Sequence, residues 1–522
     1  MAGKRVNRRD FMANLAALGS AALVSNTASA TAAEPPSHDG SQRTRPDILV
    51  IMPDQMRGDC LSLLGHPAVC TPNIDALARE GVLFRRAYTP VPSCMPARYA
   101  LLTGLSPQAS GVVGYAAKPI RTPTLPGLLA TAGYRTVLVG RNMHQHRKSG
   151  SCGYRESILG STYVGNDDYD KFLRGVAPKT GGIRNLVIDK MHLTYNYWQA
   201  KPWPLPHEWH PTEWIVDRSL QIVKETAPDK PLFLTTSFYA PHPPLFPPKN
   251  FFDDNYRSER PAPAHGDWVQ WDTLSPAGDA RGHRILLEGE TLRRAQAGYF
   301  GLIDHIDAQI GPLIEHFKAR SRKAGRPWII VFIADHGEML GDHGYFRKCE
   351  PYEGSANIPF IITASPELKL AANRRIHEPV SLEDVMPTLL SLAEVKAPTY
   401  TDGVNLCPIL RGEKKNVRPY LHFEHAPCYS KAQAFHALTD GRYKYIWRPY
   451  SGEEQLFDLQ SGPKEERDLA KAPASEKTLR QWRNRLIDRL ADRPEGFVRE
   501  GRLVPGQPYR PLNKGTVDIV NG

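Results

Sequence analysis

Four largely apolar runs constrain the fold of this chain more than any other feature of its sequence. They cover residues 47–52, 136–139, 232–238 and 328–334. Runs of this length are typical of strands that are buried on both faces, as in a parallel sheet. Helix-like stretches separate them, at residues 73–80, 124–132, 219–226 and 297–317. The alternation predicts an α/β fold in which a large, mainly parallel sheet is flanked by helices.

Polar side chains follow each of the four apolar runs. In chain order they are Asp54 with Gln55, Arg141 with His144, His242, and Asp335 with His336. In open parallel sheets, ligands bind outside the carboxyl ends of the strands. We therefore expect these side chains to converge on one edge of the sheet, although they are far apart in the chain.

Two of these sets have the chemistry of a metal site. Asp54, Gln55, Asp335 and His336 offer two carboxylates, an amide oxygen and an imidazole. This oxygen-rich set suits Ca²⁺ or Mg²⁺, and the histidine also admits Mn²⁺ or Zn²⁺. Taken alone, each pair also fits an ordinary strand-end turn or helix cap.

A short segment around Cys94 predicts the start of a helix. Pro96 is favoured at the beginning of a helix, and the residues up to Gly104 are typical of a short one. Cys94 is then expected just before the helix N-terminus, where backbone N–H groups favour developing negative charge. The alternative is a buried structural cysteine, since cysteine is among the most buried residue types.

Several segments resemble the sulfatase family. Cys94-Met-Pro-Ala-Arg98 resembles the pattern in which sulfatases carry a cysteine oxidised to formylglycine (3-oxoalanine), their aldehyde nucleophile. The other resembling segments are residues 45–57, 71–81, 84–88, 335–344, 387–390, 402–403 and 443–446, with Lys348. The resemblance covers about residues 46–469. It implies an alkaline phosphatase-like fold, sulfuric ester hydrolysis and a formylglycine-installing enzyme as a partner.

Position by position, the resemblance implies a site for one divalent metal. Its ligands are Asp54, Gln55, Asp335 and His336, with the modified Cys94 completing the shell. Ca²⁺ is the expected ion, and Mn²⁺ and Zn²⁺ are the alternatives.

The resemblance also implies catalytic roles. Arg98 holds the formylglycine, and Arg141 grips a sulfate oxygen. Lys348 and His242 contact the sulfate and its leaving oxygen, and one of them donates the proton to the departing alcohol. His144 then accepts the proton that allows sulfate to be released.

Two departures from the family pattern leave the ester class open. Gln55 stands where the usual ligand pair has a second Asp, a form that resembles the subgroup with phosphonate monoester hydrolases and choline sulfatases. Gly140-Arg-Asn-Met-His144 stands where Gly-Lys-x-His is usual. The favoured function is hydrolysis of sulfate monoesters on a glycan or aryl alcohol. The alternatives are a phosphonate monoester or phosphodiester hydrolase on the same scaffold and a non-catalytic binder of sulfated glycans.

The N-terminal residues predict export. Four basic residues precede an uncharged stretch at residues 11–24, and Ala28-Ser29-Ala30 is a small-x-small cleavage pattern. Arg8-Arg9-Asp10-Phe11-Met12 resembles a twin-arginine signal, so residues 1–33 are expected to be a signal peptide read by the twin-arginine export machinery. We expect a periplasmic or secreted protein without a membrane anchor, because no later run reaches the roughly 18 apolar residues of a bilayer span.

The charge of the chain points to an anionic substrate. The net charge is +11, of which three positive charges belong to the leader, and a basic surface favours anions such as a sulfated saccharide or a small sulfate ester. The sequence has no zinc-finger spacing, basic heptad or aromatic–basic RNA motif. Nucleic acid is therefore not an expected partner.

The predicted catalytic domain covers residues 45–395 and is followed by a smaller C-terminal antiparallel α+β subdomain at residues 396–492. Its expected strands are at residues 419–424, 435–439, 443–447 and 454–458, with a helix at 475–490. Residues 493–522 are rich in Pro and Gly and are expected to form an irregular tail.

Overall fold

The computed structural model describes residues 44–144, 151–274 and 284–513. The strands in these ranges are β1 (Asp47–Asp54), β2 (Val82–Phe84), β3 (Ala87–Tyr88), β4 (Arg135–Gly140), β5 (Glu156–Leu159), β6 (Leu232–Pro241), β7 (Trp328–Ile333), β8 (Phe360–Ala364), β9 (Arg374–Ile376), β10 (Val380–Ser381), β11 (Leu421–His425), β12 (Phe435–Thr439), β13 (Tyr443–Trp447), β14 (Glu454–Asp458), β15 (Val498–Arg499) and β16 (Arg502–Leu503). The α-helices are α1 (Pro72–Glu80), α2 (Cys94–Thr103), α3 (Pro107–Ser110), α4 (Leu125–Thr131), α5 (Asp168–Val176), α6 (Ile183–Asn185), α7 (Pro211–Glu225), α8 (Lys249–Arg257), α9 (Gly289–Lys323), α10 (Glu353–Ala356), α11 (Val385–Leu392), α12 (Cys407–Leu410) and α13 (Glu476–Leu490).

The large sheet has eight strands in the order β5-β4-β6-β1-β7-β8-β2-β9. Its neighbouring strands are parallel except at β8, which is antiparallel to both β7 and β2. Every residue of β1, β6 and β7 is buried, so helices cover both faces of the central strands. The predicted α/β fold with a mainly parallel sheet flanked by helices is confirmed.

The helices form two groups that flank this sheet. In one group α9 contacts α1, α7 and α8, and in the other α11 contacts α2, α4 and α12. Helix α7 begins at Pro211, well before the predicted start at residue 219. The His210 side chain accepts a hydrogen bond from Thr212 N (3.1 Å), and proline at the first helical position is already in helical conformation. The sequence prediction therefore missed the first two turns of this helix.

The C-terminal sheet is antiparallel, in the order β11-β12-β13-β14, and α13 packs on β12 and β13. Phe423 and Phe435 of this sheet share a buried cluster with Tyr88, Met339 and Tyr352 of the larger part. Backbone hydrogen bonds from Glu424 N to Pro90 O (3.0 Å) and from Ala426 N to Val113 O (2.7 Å) join β11 and the residue after it to loops of the larger part. The small sheet thus supports the loops that follow β7.

The C-terminal tail is more regular than predicted. Strands β15 and β16 form a hairpin within the segment that was expected to be irregular, so that expectation is wrong for residues 498–503. Glu500 and Gly501 between them have φ of +50° and +68°, as a two-residue hairpin turn requires. Residues 514–522 and the predicted signal peptide at residues 1–33 lie outside the described residues. Within the described ranges, no helix is both long and apolar enough to cross a membrane.

We predict that Asp47→Ala lowers the free energy of unfolding by about 3–5 kcal/mol, because it leaves buried partners unpaired. The Asp47 side chain is 0% exposed and accepts hydrogen bonds from Leu232 N (2.8 Å), Ser321 Oγ (2.8 Å) and Arg320. It thereby joins β1, β6 and α9. The midpoint of urea unfolding measures the effect. The control is Asp254→Ala, which removes an exposed pair with Arg257 and should cost less than about 1 kcal/mol; equal effects would contradict the prediction.

Candidate active site

Two aspartates meet where neighbouring strands end. Asp54 is the last residue of β1, and Asp335 follows the end of β7 beside it. Arg98 of α2 donates a hydrogen bond from Nη2 to Asp54 Oδ2 and another from Nε to Asp335 Oδ2, both 2.8 Å long. All three side chains are at most 1% exposed. The guanidinium therefore compensates two carboxylates that would otherwise repel each other inside the protein.

The remaining contacts of Arg98 extend to two further strands. Its Nη1 donates to Asn142 O (3.1 Å), just past the end of β4, and to Ser237 Oγ (3.2 Å) in β6. One side chain thus contacts residues in or just past four strands that are adjacent in the sheet. The predicted convergence of the polar residues on one edge is what the sheet order produces.

The sequence predicted Cys94 just before α2, but the structure places it within the first turn of this helix. Ser93 is the N-cap residue instead. Cys94 Sγ is 3.1 Å from His336 Nε2 and 3.6 Å from Arg141 Nη2. Burial and Asp54 raise the pKa of this thiol, but Lys348, His336 and Arg141 outweigh them and hold the pKa below its ordinary value. Cys94 therefore stands at the junction of the acidic cluster and the cationic side chains.

The acidic cluster fits a divalent cation. The ligand atoms of Asp54, Cys94, Asp335 and His336 all lie within 4.8 Å of one another and are buried. His336 donates from Nδ1 to Gly337 O (3.0 Å), which leaves the lone pair of Nε2 directed at the cluster. Two carboxylates and one imidazole with an amide oxygen nearby match the donors that Ca²⁺ and Mn²⁺ take.

Gln55 provides that amide oxygen. Its backbone has φ of +67° and its N–H donates to Asp335 Oδ1 (3.1 Å), which directs the side chain into the site. The amide Nε2 donates to Glu338, and Oε1 accepts from Lys348 Nζ (2.7 Å). Gln55 therefore lies between the acidic cluster and the lysine expected to bind the sulfate.

Arg141 faces both the acidic cluster and the open cavity. Its Nε is 2.7 Å from Asp54 Oδ2, and the guanidinium lies 4.5 Å from the ring centre of Tyr239 and 5.3 Å from that of Tyr163. Nη2 is 2.7 Å from His144 Nε2, while Nη1 has no hydrogen-bond partner among the described residues. A buried guanidinium with a free donor is suited to binding an oxyanion.

Lys348 and His242 form a second polar pair. Lys348 Nζ is 2.7 Å from His242 Nε2, and His242 Nδ1 donates to Pro243 O (2.6 Å). Burial, followed by the charges of Lys348 and Arg141, holds the pKa of His242 well below its ordinary value. Burial and Arg141 act in the same way on the pKa of His144. Both imidazoles are therefore neutral near pH 7, and His242 Nε2 is a hydrogen-bond acceptor.

These side chains surround a cavity of about 350 Å³. All ten residues singled out from the sequence lie in or directly behind it, although their individual roles stay predictions. Sequence reasoning missed the rest of the lining, which comprises Tyr115, Tyr163, Tyr195, Asn196, Tyr239, Cys428 and Tyr429. Tyr239 lies in β6, and the other six come from loops without recognisable spacing. It also missed Glu338, although this residue lies inside the segment 335–344 that carries the family resemblance.

Comparison with known proteins decides the family. The model of the sulfatase family matches residues 46–395, which is more than half of the chain. The chain belongs to the sulfatase family. A second model, described as the C-terminal part of N-sulphoglucosamine sulphohydrolase, matches residues 341–492.

The relatives of this sulfatase span nearly its whole length. It is 35% identical over 488 residues to an arylsulfatase from Clostridium perfringens, a match that covers 90% of this chain and 99% of the relative. It is 28% identical over 505 residues to a choline-sulfatase from Rhizobium meliloti, with 90% and 92% covered. In fold it is similar to the phosphonate monoester hydrolase of Agrobacterium radiobacter, with a TM-score of 0.71, 24% identity and 89% and 100% covered. The protein is a sulfuric ester hydrolase of alkaline phosphatase-like fold.

We predict that Arg98→Met strongly destabilises the metal-free protein, by about 3–5 kcal/mol, because two buried carboxylates lose their shared cation. Added Ca²⁺ should recover part of the loss, since a dication compensates the same carboxylates. Thermal unfolding with a chelator and with Ca²⁺ measures both effects. Arg483→Met, which removes a half-exposed pair with Glu454, is the control and should show neither. An Arg98 variant as stable as the control would refute this account.

Proposed function

We propose that this sulfatase hydrolyses sulfate monoesters with a formylglycine derived from Cys94 and with one bound divalent metal. The supporting observation is the position of Cys94 Sγ, 3.1 Å from His336 Nε2 on the acidic side and 3.6 Å from Arg141 Nη2 on the cationic side. A nucleophile at this point faces the cation site and the oxyanion site at once. The position explains why a nucleophile is needed at residue 94 and not elsewhere on α2.

The metal would be held by Asp54, Gln55, Asp335 and His336, together with the modified residue 94. Ca²⁺ is the proposed ion because three of the four side chains offer oxygen, and Mn²⁺ or Zn²⁺ remain the alternatives that elemental analysis of the isolated protein distinguishes. When bound, such an ion neutralises ester oxygens and lowers the pKa of a hydroxyl nucleophile.

The formylglycine would be produced from Cys94 by an installing enzyme. As a hydrated aldehyde it supplies two hydroxyls, one to attack sulfur and one whose loss of a proton allows sulfate to leave. Cys94 is 1% exposed in the folded protein, so we propose that the enzyme acts on the chain before folding. We also propose export through the twin-arginine machinery after this modification, on the basis of the signal pattern in residues 1–33.

The cationic side chains would bind the sulfate. A sulfate monoester is an anion, so attack on sulfur requires positive charge around its oxygens. The free Nη1 donor of Arg141 and the ammonium of Lys348 meet this need at the wall of the cavity. Arg98 is engaged by Asp54 and Asp335 and would instead hold residue 94 and the acidic cluster in place.

The proton for the leaving alcohol would come from Lys348. His242 Nε2 carries no proton, because Nδ1 of the neutral ring donates to Pro243 O. Of the two candidate donors, only the lysine ammonium has a proton to transfer in this arrangement. His242 would orient the ammonium through its 2.7 Å hydrogen bond.

His144 would accept the proton in the second step. Its Nε2 is 2.7 Å from Arg141 Nη2, so the lone pair is occupied in the structure described here. When Arg141 turns to the sulfate oxygens, this nitrogen becomes free to take a proton. Binding of substrate would thus expose the base.

The lining of the cavity supports an aryl alcohol as the leaving group. The hydroxyls of Tyr163, Tyr195 and Tyr239 donate to Asn142 Oδ1 (3.1 Å), Thr162 O (2.5 Å) and Pro243 O (3.0 Å), so their hydroxyl protons are engaged within the protein. No carboxylate side chain is among the described residues that line the cavity, and Asn196 is its one amide. Aromatic rings stack on flat apolar groups, whereas a sugar needs more hydrogen-bond partners. We therefore propose an aryl sulfate in preference to the anionic glycan that the net charge suggested.

Phosphonate monoester or phosphodiester hydrolysis is the second candidate. Gln55 supports it, because the Asp54-Gln55 pair resembles the subgroup that includes phosphonate monoester hydrolases. The similarity in fold to the A. radiobacter enzyme does not support this candidate, because at 24% identity it shows a shared fold alone. A non-catalytic glycan binder is the weakest candidate, since Cys94, Lys348 and the acidic cluster are all in place.

We predict that Cys94 is present as formylglycine in active protein. Peptide mass spectrometry should find CHO in place of CH₂SH on the peptide that contains residue 94. Cys94→Ala should abolish turnover while leaving the thermal midpoint nearly unchanged, because the thiol fills little volume. Cys407→Ala, another buried cysteine, is the control and should keep its activity. An active preparation with only the unmodified thiol would exclude the mechanism.

We predict that kcat/KM is at least tenfold higher for nitrophenyl sulfate than for a matched nitrophenyl phosphonate, a preference of about 1.4 kcal/mol. It should also exceed that for a monosaccharide sulfate. Initial rates with the three substrates measure the ratios, which report differential transition-state binding. A tenfold preference for the phosphonate would transfer the proposal to the second candidate.

The ring contribution can be tested at Tyr115, which is 44% exposed and so not required for folding. Tyr115→Leu should lower kcat/KM for nitrophenyl sulfate by about two- to tenfold, as expected for a lost aromatic contact of 0.5–1.5 kcal/mol. Tyr115→Phe keeps the ring and should behave as wild type. Equal losses in both variants would show that the hydroxyl acts and the ring does not.

A further inference from the structure

A buried carboxylate outside the predicted set joins the two sides of the site. Glu338 is 0% exposed and lies on the loop that follows Asp335. Its Oε2 accepts a hydrogen bond from Gln55 Nε2, and its Oε1 accepts from Leu340 N (2.8 Å) and from Arg347 N. Each carboxylate oxygen thus contacts a different part of the site.

The contact with Gln55 determines which end of its amide faces the site. Gln55 Nε2 donates to Glu338 Oε2, so the NH₂ group of this amide is directed to Glu338. The Oε1 atom then points the other way, where Lys348 Nζ donates to it over 2.7 Å. A hard cation binds oxygen and not a protonated amide nitrogen, so the orientation decides whether Gln55 can be a ligand.

The second contact shapes the loop that carries Lys348. Met339 N donates to Arg347 O (2.7 Å) and closes this loop. Leu340 and Arg347 have φ of +50° and +80°, in the left-handed region, where residues other than glycine are strained. Glu338 Oε1 accepts the N–H of both residues and so stabilises both strained positions. Because Lys348 follows Arg347 directly, the loop shape sets the position of its ammonium.

We propose that Glu338 is a positioning residue that sets the metal-binding orientation of Gln55 and the position of Lys348 together. Glu338 accepts a hydrogen bond from Gln55 Nε2, and Gln55 Oε1 accepts one from Lys348. The loop from Glu338 to Lys348 connects the two ends of this series of contacts. This proposal rests on the function proposed above, since it requires Gln55 to bind the metal and Lys348 to bind the sulfate. It assigns a role to a side chain that touches neither ligand.

The first test is Glu338→Gln with Ca²⁺ alone as the ligand. The new amide oxygen still accepts from Leu340 N and Arg347 N, but the new NH₂ group faces the NH₂ of Gln55. The Gln55 amide must rotate and lose its oxygen from the metal side. We expect Ca²⁺ affinity to fall about 10–100-fold, as for other residues that orient metal ligands. Competition with a chromophoric chelator measures this affinity without substrate.

The second test adds Gln55→Glu to the first variant. The new carboxylate at position 55 accepts from the new amide at position 338 and from Lys348, so an oxygen again faces the metal. We expect Ca²⁺ affinity and KM for nitrophenyl sulfate to return towards wild-type values. Gln55→Glu alone places two carboxylates opposite each other, so it should lower Ca²⁺ affinity and raise KM for nitrophenyl sulfate. A substitution that helps in one background and harms in the other reports direct coupling, which a general loss of stability does not produce.

The control is Glu465→Gln, another buried carboxylate that accepts a backbone N–H, from Glu353 (2.6 Å). It should leave Ca²⁺ affinity unchanged. The thermal midpoint of each metal-free variant verifies that it is folded. Wild-type Ca²⁺ affinity in Glu338→Gln, or a double variant no better than that single one, would overturn the positioning role. If the wild-type protein itself binds no divalent metal or hydrolyses no sulfate ester, the proposed function fails instead.

Discussion

The buried guanidinium of Arg98 is the interaction on which the site depends. It binds Asp54 and Asp335 at 2.8 Å each and also contacts groups beside β4 and β6. Two carboxylates this deep in a protein repel each other, and removing charges from water is costly unless each is paired and hydrogen-bonded. Arg98 meets both requirements, so a cation-binding cluster can exist before any metal arrives. The strand order makes this contact available, because β4, β6, β1 and β7 are neighbours.

The cavity next to this cluster is lined by cations and not by carboxylates. The acidic side chains lie behind it, and its lining carries Arg141 and Lys348, each hydrogen-bonded to a neutral histidine. Arg141 contacts the acidic cluster through its ion pair with Asp54, and its free Nη1 donor is available to a ligand in the cavity. Because the histidines are buried beside cations, their low pKa keeps them available as acceptors near neutral pH. An anionic ester therefore meets positive charge without meeting acidic side chains.

Most of the fold could be predicted from hydrophobic pattern, and the errors have local causes. The four central strands were found because strands buried on both faces have few polar residues. The start of α7 was missed because its first turns are set by the side-chain cap of His210 and by Pro211. The hairpin of β15 and β16 was missed because two adjacent residues with positive φ made a turn in a segment read by composition alone. Short-range backbone geometry, and not hydrophobicity, decided both.

The sequence alone determined which groups of the site can do chemistry. The strand-end residues and the motif around Cys94 specify two carboxylates, an amide, an imidazole, a thiol and the cations near them, because side-chain identity is fixed at each position. The tertiary structure alone decided how these groups act on one another. Distances of 2.7–2.8 Å among Arg98, Arg141, Lys348 and their partners depend on strand order and loop shape, which no spacing in the chain encodes. The tyrosine lining and the contact of Glu338 with Gln55 join residues that are far apart in the chain, so only folding brings them together.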